Sequence, residues 1–196
     1  MGRPREFDID QALNIATNLF WRKGFDNTSI SDLRSAMGIS APSFYFAFES
    51  KEALFQRITE NYRKVQNEIV ADALGQKTFK DLLEKLLLGF AEFLTDPAHP
   101  SGCLVLNSSI PVRADHPITK RFAEQRRKMR TDLEKRLKQL AQNGGKLPAG
   151  SSPATLAQMV VSLVWGMAVE AQSGATRTDL KKMAGAAVST LTVPTS

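Results

Sequence analysis

Three side chains in this sequence have the chemistry of a nucleophile, a base or a soft-metal ligand: His99, Cys103 and His116. A thiolate beside an imidazole, with a carboxylate such as Asp115 to orient the ring, would support covalent catalysis. The same sulfur and nitrogen donors, joined by a thioether from Met129 or Met159, would suit monovalent copper. Both histidines sit beside prolines in expected loops, and a lone cysteine in an apolar stretch commonly serves as a small core side chain. Cys103 is the single cysteine, which excludes a disulfide framework, a four-cysteine zinc site and a CxxC redox pair. No cofactor is expected.

A second set of residues is suited to nucleic acid. In ISAPSFYFAFESK the short side chains of Ala41, Pro42 and Ser43 open a helix that can approach base edges in a major groove. Ser43 can hydrogen-bond to a base or phosphate, and Ala41 or Pro42 can lie against a thymine methyl. Tyr45 offers a phenolic donor to a phosphate, and Lys51 offers an ammonium in the first turn of the next helix. Phe46 can meet a thymine methyl or pack within the motif, whereas Phe44 and Phe48 are expected in its core. Thr28 and Ser29 can donate to phosphate at a helix start, although capping also explains them. The GRPRE start places Arg3 and Arg5 on an arm that can enter a minor groove.

Helices must position these groups. Ile9, Ala12, Leu13, Ala16, Leu19 and Phe20 recur at three- and four-residue spacing and predict a helix that stops at Lys23-Gly24. Ser29 and Asp32 form a capping-box pattern before a short helix ending at Gly38. Ser40 caps the helix carrying Ala41 to Phe48, and Ser50 restarts the chain on a long stripe of Leu54, Ile58, Tyr62, Val65, Ile69 and Ala73. Helices follow over 79–94, a short segment 103–109, 118–142, 154–173 and a last stretch around Leu180 to Leu191. The expected fold is all-α with about nine helices.

The 196 residues carry a formal charge of +6, unevenly placed. Residues 1–64 hold nine Lys/Arg against eight Asp/Glu, whereas 118–146 hold ten against three, so total charge does not locate a nucleic-acid surface. The N-terminal start has no apolar core of a secretory signal, and the apolar run 159–169 is shorter than the roughly 20 residues of a membrane span. A cytoplasmic protein without membrane contact is expected.

Taken together, GRPREFDIDQALNIATNLFWRKGFDNTSISDLRSAMGISAPSFYFAFESKEALF resembles the DNA-binding domain of the TetR family of transcriptional regulators. The resemblance implies an N-terminal three-helix DNA-binding domain with a helix-turn-helix (1–50) and a larger C-terminal effector-binding and dimerisation domain (51–196) that includes the connecting fourth helix. It implies a homodimer on a palindromic double-stranded operator, acting as a repressor that an unidentified small effector releases. Where family members often have histidine before the second aromatic of this motif, the chain has Ala47, so that contact is absent. The GRPREFD start and the HPSGC segment resemble a subgroup that includes copper-responsive repressors.

The almost wholly apolar helix over 154–173 and the small residues of the last helix are expected to form the dimer interface. An organic effector would lie among Phe90, Phe93, Cys103, Leu106, Phe122, Met129, Trp165 and Met167, whose aromatic and thioether groups give adaptable apolar contacts. His99, Cys103 and His116 stand as the alternative metal set. Two other functions remain open at this point: a thiol-dependent enzyme built on Cys103, and a helical protein-interaction module without DNA binding.

Overall fold

Helix starts follow from short polar side chains that take up exposed backbone N–H groups. A computed structural model describes residues 8–109, 116–148 and 150–192. Among the described residues it has nine α-helices and no strand: α1 (Ile9–Lys23), α2 (Ile30–Met37), α3 (Ala41–Phe48), α4 (Lys51–Leu74), α5 (Phe79–Leu94), α6 (Leu104–Ser109), α7 (Pro117–Gln142), α8 (Pro153–Gln172) and α9 (Arg177–Thr192). Asp8, Ser29, Ser40, Ser50, Thr78 and Ser152 cap α1 to α5 and α8 through their side-chain oxygens. The expected all-α architecture is the one observed.

The N-terminal head is an aromatic cluster with three helices around it. Phe20 meets Phe55 edge-on at 4.9 Å, Phe25 lies 5.0 Å from Phe55, and Leu33, Phe44 and Leu54 are buried with them. Gly38 ends α2 in the left-handed region at φ +68°, and the following Ile39 N–H bonds back to Arg34 O at 3.1 Å. A residue with Cβ would be strained there, so this glycine sets the sharp turn that aims α3.

α4 joins the head to the body. Leu54, Phe55 and Ile58 belong to the head, whereas Tyr62 and Ala73 are buried further along the same helix. Val65, expected on that stripe, is instead 45% exposed, and Gln66 takes the inward position four residues after Tyr62. α5 runs through the centre of the body with Leu82, Leu83, Leu86 and Leu87 fully enclosed, packed by α4, α8 and α9, while α7 lies along α8.

α8 has 20 residues and by length and composition alone could cross a membrane, contrary to the expectation that no segment reaches that size. Its apolar run is extended by the capped first turns from Pro153. Leu156, Ala157, Val160, Val164 and Met167 nevertheless lie inside the helical body, as in a core helix.

Head and body also meet through α6 and α1. Asn107 Nδ2 donates to Trp21 O at 3.2 Å, and the Trp21 ring stacks on His99 at 4.4 Å and meets Tyr62 edge-on at 5.0 Å. Gly24, at φ +78°, brings its backbone to this contact: a Cβ there would stand 3.2 Å from Asn107 O.

Candidate nucleic-acid interface and effector cleft

The α3 helix divides its aromatics between core and solvent. Phe44 and Phe48 point into the head, 5.6 Å from each other, while Tyr45 is 49% exposed and Phe46 93% exposed. Pro42 is exposed, Ala41 and Ser43 are half-buried at the leading turn, and Ala47 packs partly on the core. Ser40 Oγ accepts from Ser43 N at 3.3 Å, and the two hydroxyls lie 2.8 Å apart. Ala41, Pro42, Ser43, Tyr45 and Phe46 thus share an outward surface. An exposed aromatic ring on a helix held from behind by two buried ones contributes little to the fold.

Other expected DNA contacts have different surroundings. Thr28 is fully buried and its hydroxyl donates to Gly24 O at 2.7 Å, so it holds the turn after α1 and does not reach a phosphate. Lys51 is turned inward: its ammonium donates to Phe25 O and Thr28 O at 3.0 Å each and stands 4.1 Å from the Phe25 ring centre. Its expected phosphate contact is replaced by a tie between α4 and the turn before α2. Ser29 is exposed but engaged in the capping box, accepting from Asp32 N at 3.0 Å while its own N–H and hydroxyl donate to Asp32 Oδ2. Those two donors hold the Asp32 carboxyl below its ordinary range. Arg3 and Arg5 lie outside the described residues, as does Asp115.

In the body, a cleft of about 110 Å³ opens between α4, α5, α7 and α8. Phe90, Leu94, Met129, Val164 and Trp165 supply apolar lining, with Cys103 also on the wall. Phe90, Cys103, Met129 and Trp165, four of the eight expected effector contacts, thus line this cleft. Phe93, Leu106, Phe122 and Met167 are not on this wall. Phe93 packs on Tyr62 at 5.0 Å and on His99 at 5.4 Å, Phe122 meets Phe55 at 6.2 Å, and Leu106 and Met167 are enclosed in the core. Core packing thus takes half of the aromatic and aliphatic set. The polar lining includes Arg63, Gln66, Asn67, Gln125 and Arg126, none of them among the expected effector contacts, although the basic stretch holding Arg126 could attract an anion by charge alone. Gln66 had a legible sign: a polar side chain at the inward position of an apolar stripe.

Cys103 is buried, accepts a hydrogen bond from Gln66 Nε2 at 3.9 Å, and has its thiol pushed up by that burial. The neighbouring Tyr62 hydroxyl is held well above its ordinary value, first by burial and then by Cys103. His99 stacks on Trp21 with Nδ1 3.0 Å from Pro100 O, and His116 caps α7, its Nδ1 accepting from Ile118 N at 3.2 Å. Among the described residues no three His, Cys, Asp or Glu side chains gather as a metal site. His99, Cys103 and His116 accordingly do not form the alternative metal set, and a thiol kept protonated is a poor nucleophile.

A reader helix carried on an aromatic three-helix head, with one long helix leading to a helical body and its cleft, defines a helix-turn-helix regulatory protein. The family model for bacterial regulatory proteins of the tetR family matches residues 12–58, and that for the tetracyclin repressor-like C-terminal domain matches 80–187. The chain belongs to the TetR family of bacterial transcriptional regulators and is not an enzyme. The HTH-type transcriptional repressor ComR of Escherichia coli is 29% identical over 194 residues, which span 94% of this chain and 89% of ComR. The repressor BdcR of the same organism is 36% identical over 106 residues, 54% of either chain. A cysteine mutant of the TetR family regulator CifR, solved with 26-bp double-strand operator DNA, is 28% identical with a TM-score of 0.82, covering 95% of this chain and 98% of that one.

Proposed function

We propose that this protein is a cytoplasmic, ligand-responsive transcriptional repressor that binds a palindromic operator as a homodimer and leaves it when a small organic molecule occupies the body cleft. The observation that carries the reading is the outward surface of α3, with Phe46 almost fully exposed over the buried Phe44 and Phe48. The likeness to CifR, solved on operator DNA, supports the same use of this helix. In this reading residues 1–50 form the DNA-binding unit and 51–196 the effector-binding and dimerisation unit. Ala41, Pro42, Ser43 and Phe46 face bases, Tyr45 and Ser29 face phosphates, and Arg3 and Arg5 supply the arm.

A two-fold operator calls for a two-fold protein. α8 exposes Met159 and Val169, and space is open beside Gly166 on α8 and Gly185 on α9, so a second copy can approach these helices closely. Coupling follows from chain continuity. The far half of α4 contributes Arg63 and Gln66 to the cleft and its near half contributes Phe55 to the head. Cys103 on the cleft wall leads directly into α6, whose Asn107 grips Trp21 at the end of α1. A ligand that moves either helix changes the spacing of the two reader helices, and half-sites set about 34–36 Å apart tolerate little change.

The effector is organic in this reading, and the likeness to copper-responsive repressors is not followed, because the groups interacting with the Cys103 thiol are an amide and a phenol, and among the described residues no cluster of three His, Cys, Asp or Glu side chains joins it. Selection from random duplex DNA followed by footprinting tests the whole proposal. The expected product is an inverted repeat with two protected half-sites. A folded protein that enriches no duplex at low salt would refute it and favour a protein-interaction role.

A further inference from the structure

The polar wall of the cleft carries two arginines, Arg63 and Arg126, that make no ion pair among the described residues. Of its other ionic side chains, Lys128 and Asp132 pair with each other at 2.6 Å. Arg63 is half-buried, and its Nε and Nη1 both donate to the amide oxygen of Gln125, at 2.9 and 2.8 Å, with that amide oriented by its hydrogen bonds. A guanidinium can grip a carboxylate through two parallel bonds, and here two of its nitrogens converge on one neutral amide oxygen. Arg126 stacks over Trp165, its guanidinium carbon 5.3 Å from the ring centre, which fixes a second cation at the cleft without neutralising it.

Apolar surface lies beside this charge. Phe90, Met129 and Trp165 line the same cleft. Cations beside an apolar wall match a ligand with a hydrophobic body and one anionic end. A neutral ligand would leave the charge of both arginines without a counterpart, and a cationic one would be repelled by them.

We infer that the cleft selects small organic carboxylates, with the hydrophobic body on Phe90, Met129 and Trp165 and the carboxylate replacing the Gln125 amide on the Arg63 guanidinium while Arg126 approaches its other oxygen. This rests on the cleft being the effector site of the proposed regulator, and it names the ligand class. It also gives occupancy a mechanical consequence. Arg63 stands on α4 and Gln125 on α7, so the carboxylate breaks a bond between the helix that reaches the DNA-binding head and the helix that backs the cleft.

The test uses phenylacetate, phenylbutyrate and octanoate, each beside its primary amide, titrated calorimetrically into the full-length protein without DNA. At least one carboxylate should bind about 10-fold or more tightly than its amide. Arg63→Gln and Arg126→Gln should each weaken that carboxylate about 10-fold and leave the amide within about 2-fold. Gln125→Glu, which gives Arg63 a carboxylate of the protein's own, should abolish the preference. These side chains are not in the enclosed core, and circular dichroism melting confirms that each variant is folded. Equal affinity for acids and amides, a preference that survives Arg63→Gln, or no acid binding at millimolar concentration would overturn the inference. Operator release is measured separately. A neutral compound that releases operator while no acid binds overturns the ligand class and leaves the regulator intact. Arginine-dependent acid binding that leaves the operator complex unchanged refutes effector-driven release and leaves the chemistry of the cleft standing.

Discussion

Replacing Phe46 with alanine separates the two jobs of α3. The side chain is 93% exposed, so its removal deletes almost no buried contact and should change folding stability by no more than about 0.5 kcal/mol. In the DNA complex the ring has area to lose. A Phe side chain presents about 150–250 Å², and covering about a third of that against a thymine methyl and sugar, at about 25 cal/mol per Å², contributes about 1.3–2 kcal/mol. Phe46→Ala should therefore raise Kd for the operator about 8- to 30-fold at fixed salt. The salt dependence should keep its slope, because no phosphate contact is lost. Phe44→Ala, one helix face away and fully buried, should instead cost about 3–5 kcal/mol of stability through the cavity it leaves. Fluorescence anisotropy on labelled operator and urea unfolding measure the two quantities. A Phe46→Ala protein that loses more than about 1 kcal/mol of stability, or binds operator within about 2-fold of the parent, would refute this division of labour.

Further outcomes follow from neighbouring residues. Tyr45→Phe should weaken all duplex sequences about equally if the hydroxyl meets phosphate, whereas Ser43→Ala should change base preference in a selection experiment; identical behaviour of both variants and the parent contradicts these roles. Cys103, buried with its thiol pushed up, should react with a maleimide in the native protein at least about 100-fold more slowly than in denaturant at neutral pH, and comparable rates contradict its placement. Asp32 is held below its ordinary value of 3.8 by Ser29, so the stabilisation from this pair is complete above that value and disappears as pH falls through the lower folded value. The difference in urea midpoint between the parent and Asp32→Asn should accordingly narrow on acidification from pH about 5 to about 3, and a constant difference contradicts the capping role.

The head was readable because its signals are local. Capping residues, Gly24 and Gly38 each act within a few positions, and Phe44 and Phe48 fall on one helix face, so sequence spacing predicts their neighbours. Thr28 and Lys51 were less readable, because what a hydroxyl or ammonium bonds to depends on chain folding: the Lys51 partner Phe25 lies 26 positions away. The cleft was half readable. Residue type marks Phe90 and Trp165 as large apolar side chains but does not separate a wall from a core, so sequence alone groups the enclosed Phe122 and Met167 with them. Arg63, Gln125 and Arg126 come from two helices and look in sequence like any solvated charged face.

Photocrosslinking from α3 tests the central claim most directly. With p-benzoylphenylalanine in place of Phe46, irradiation of the operator complex should attach the protein to bases at one symmetry-related position in each half-site, and the cleft ligand that releases operator should abolish the product. Crosslinks confined to protein, or to DNA ends irrespective of sequence, would show that α3 does not enter the groove.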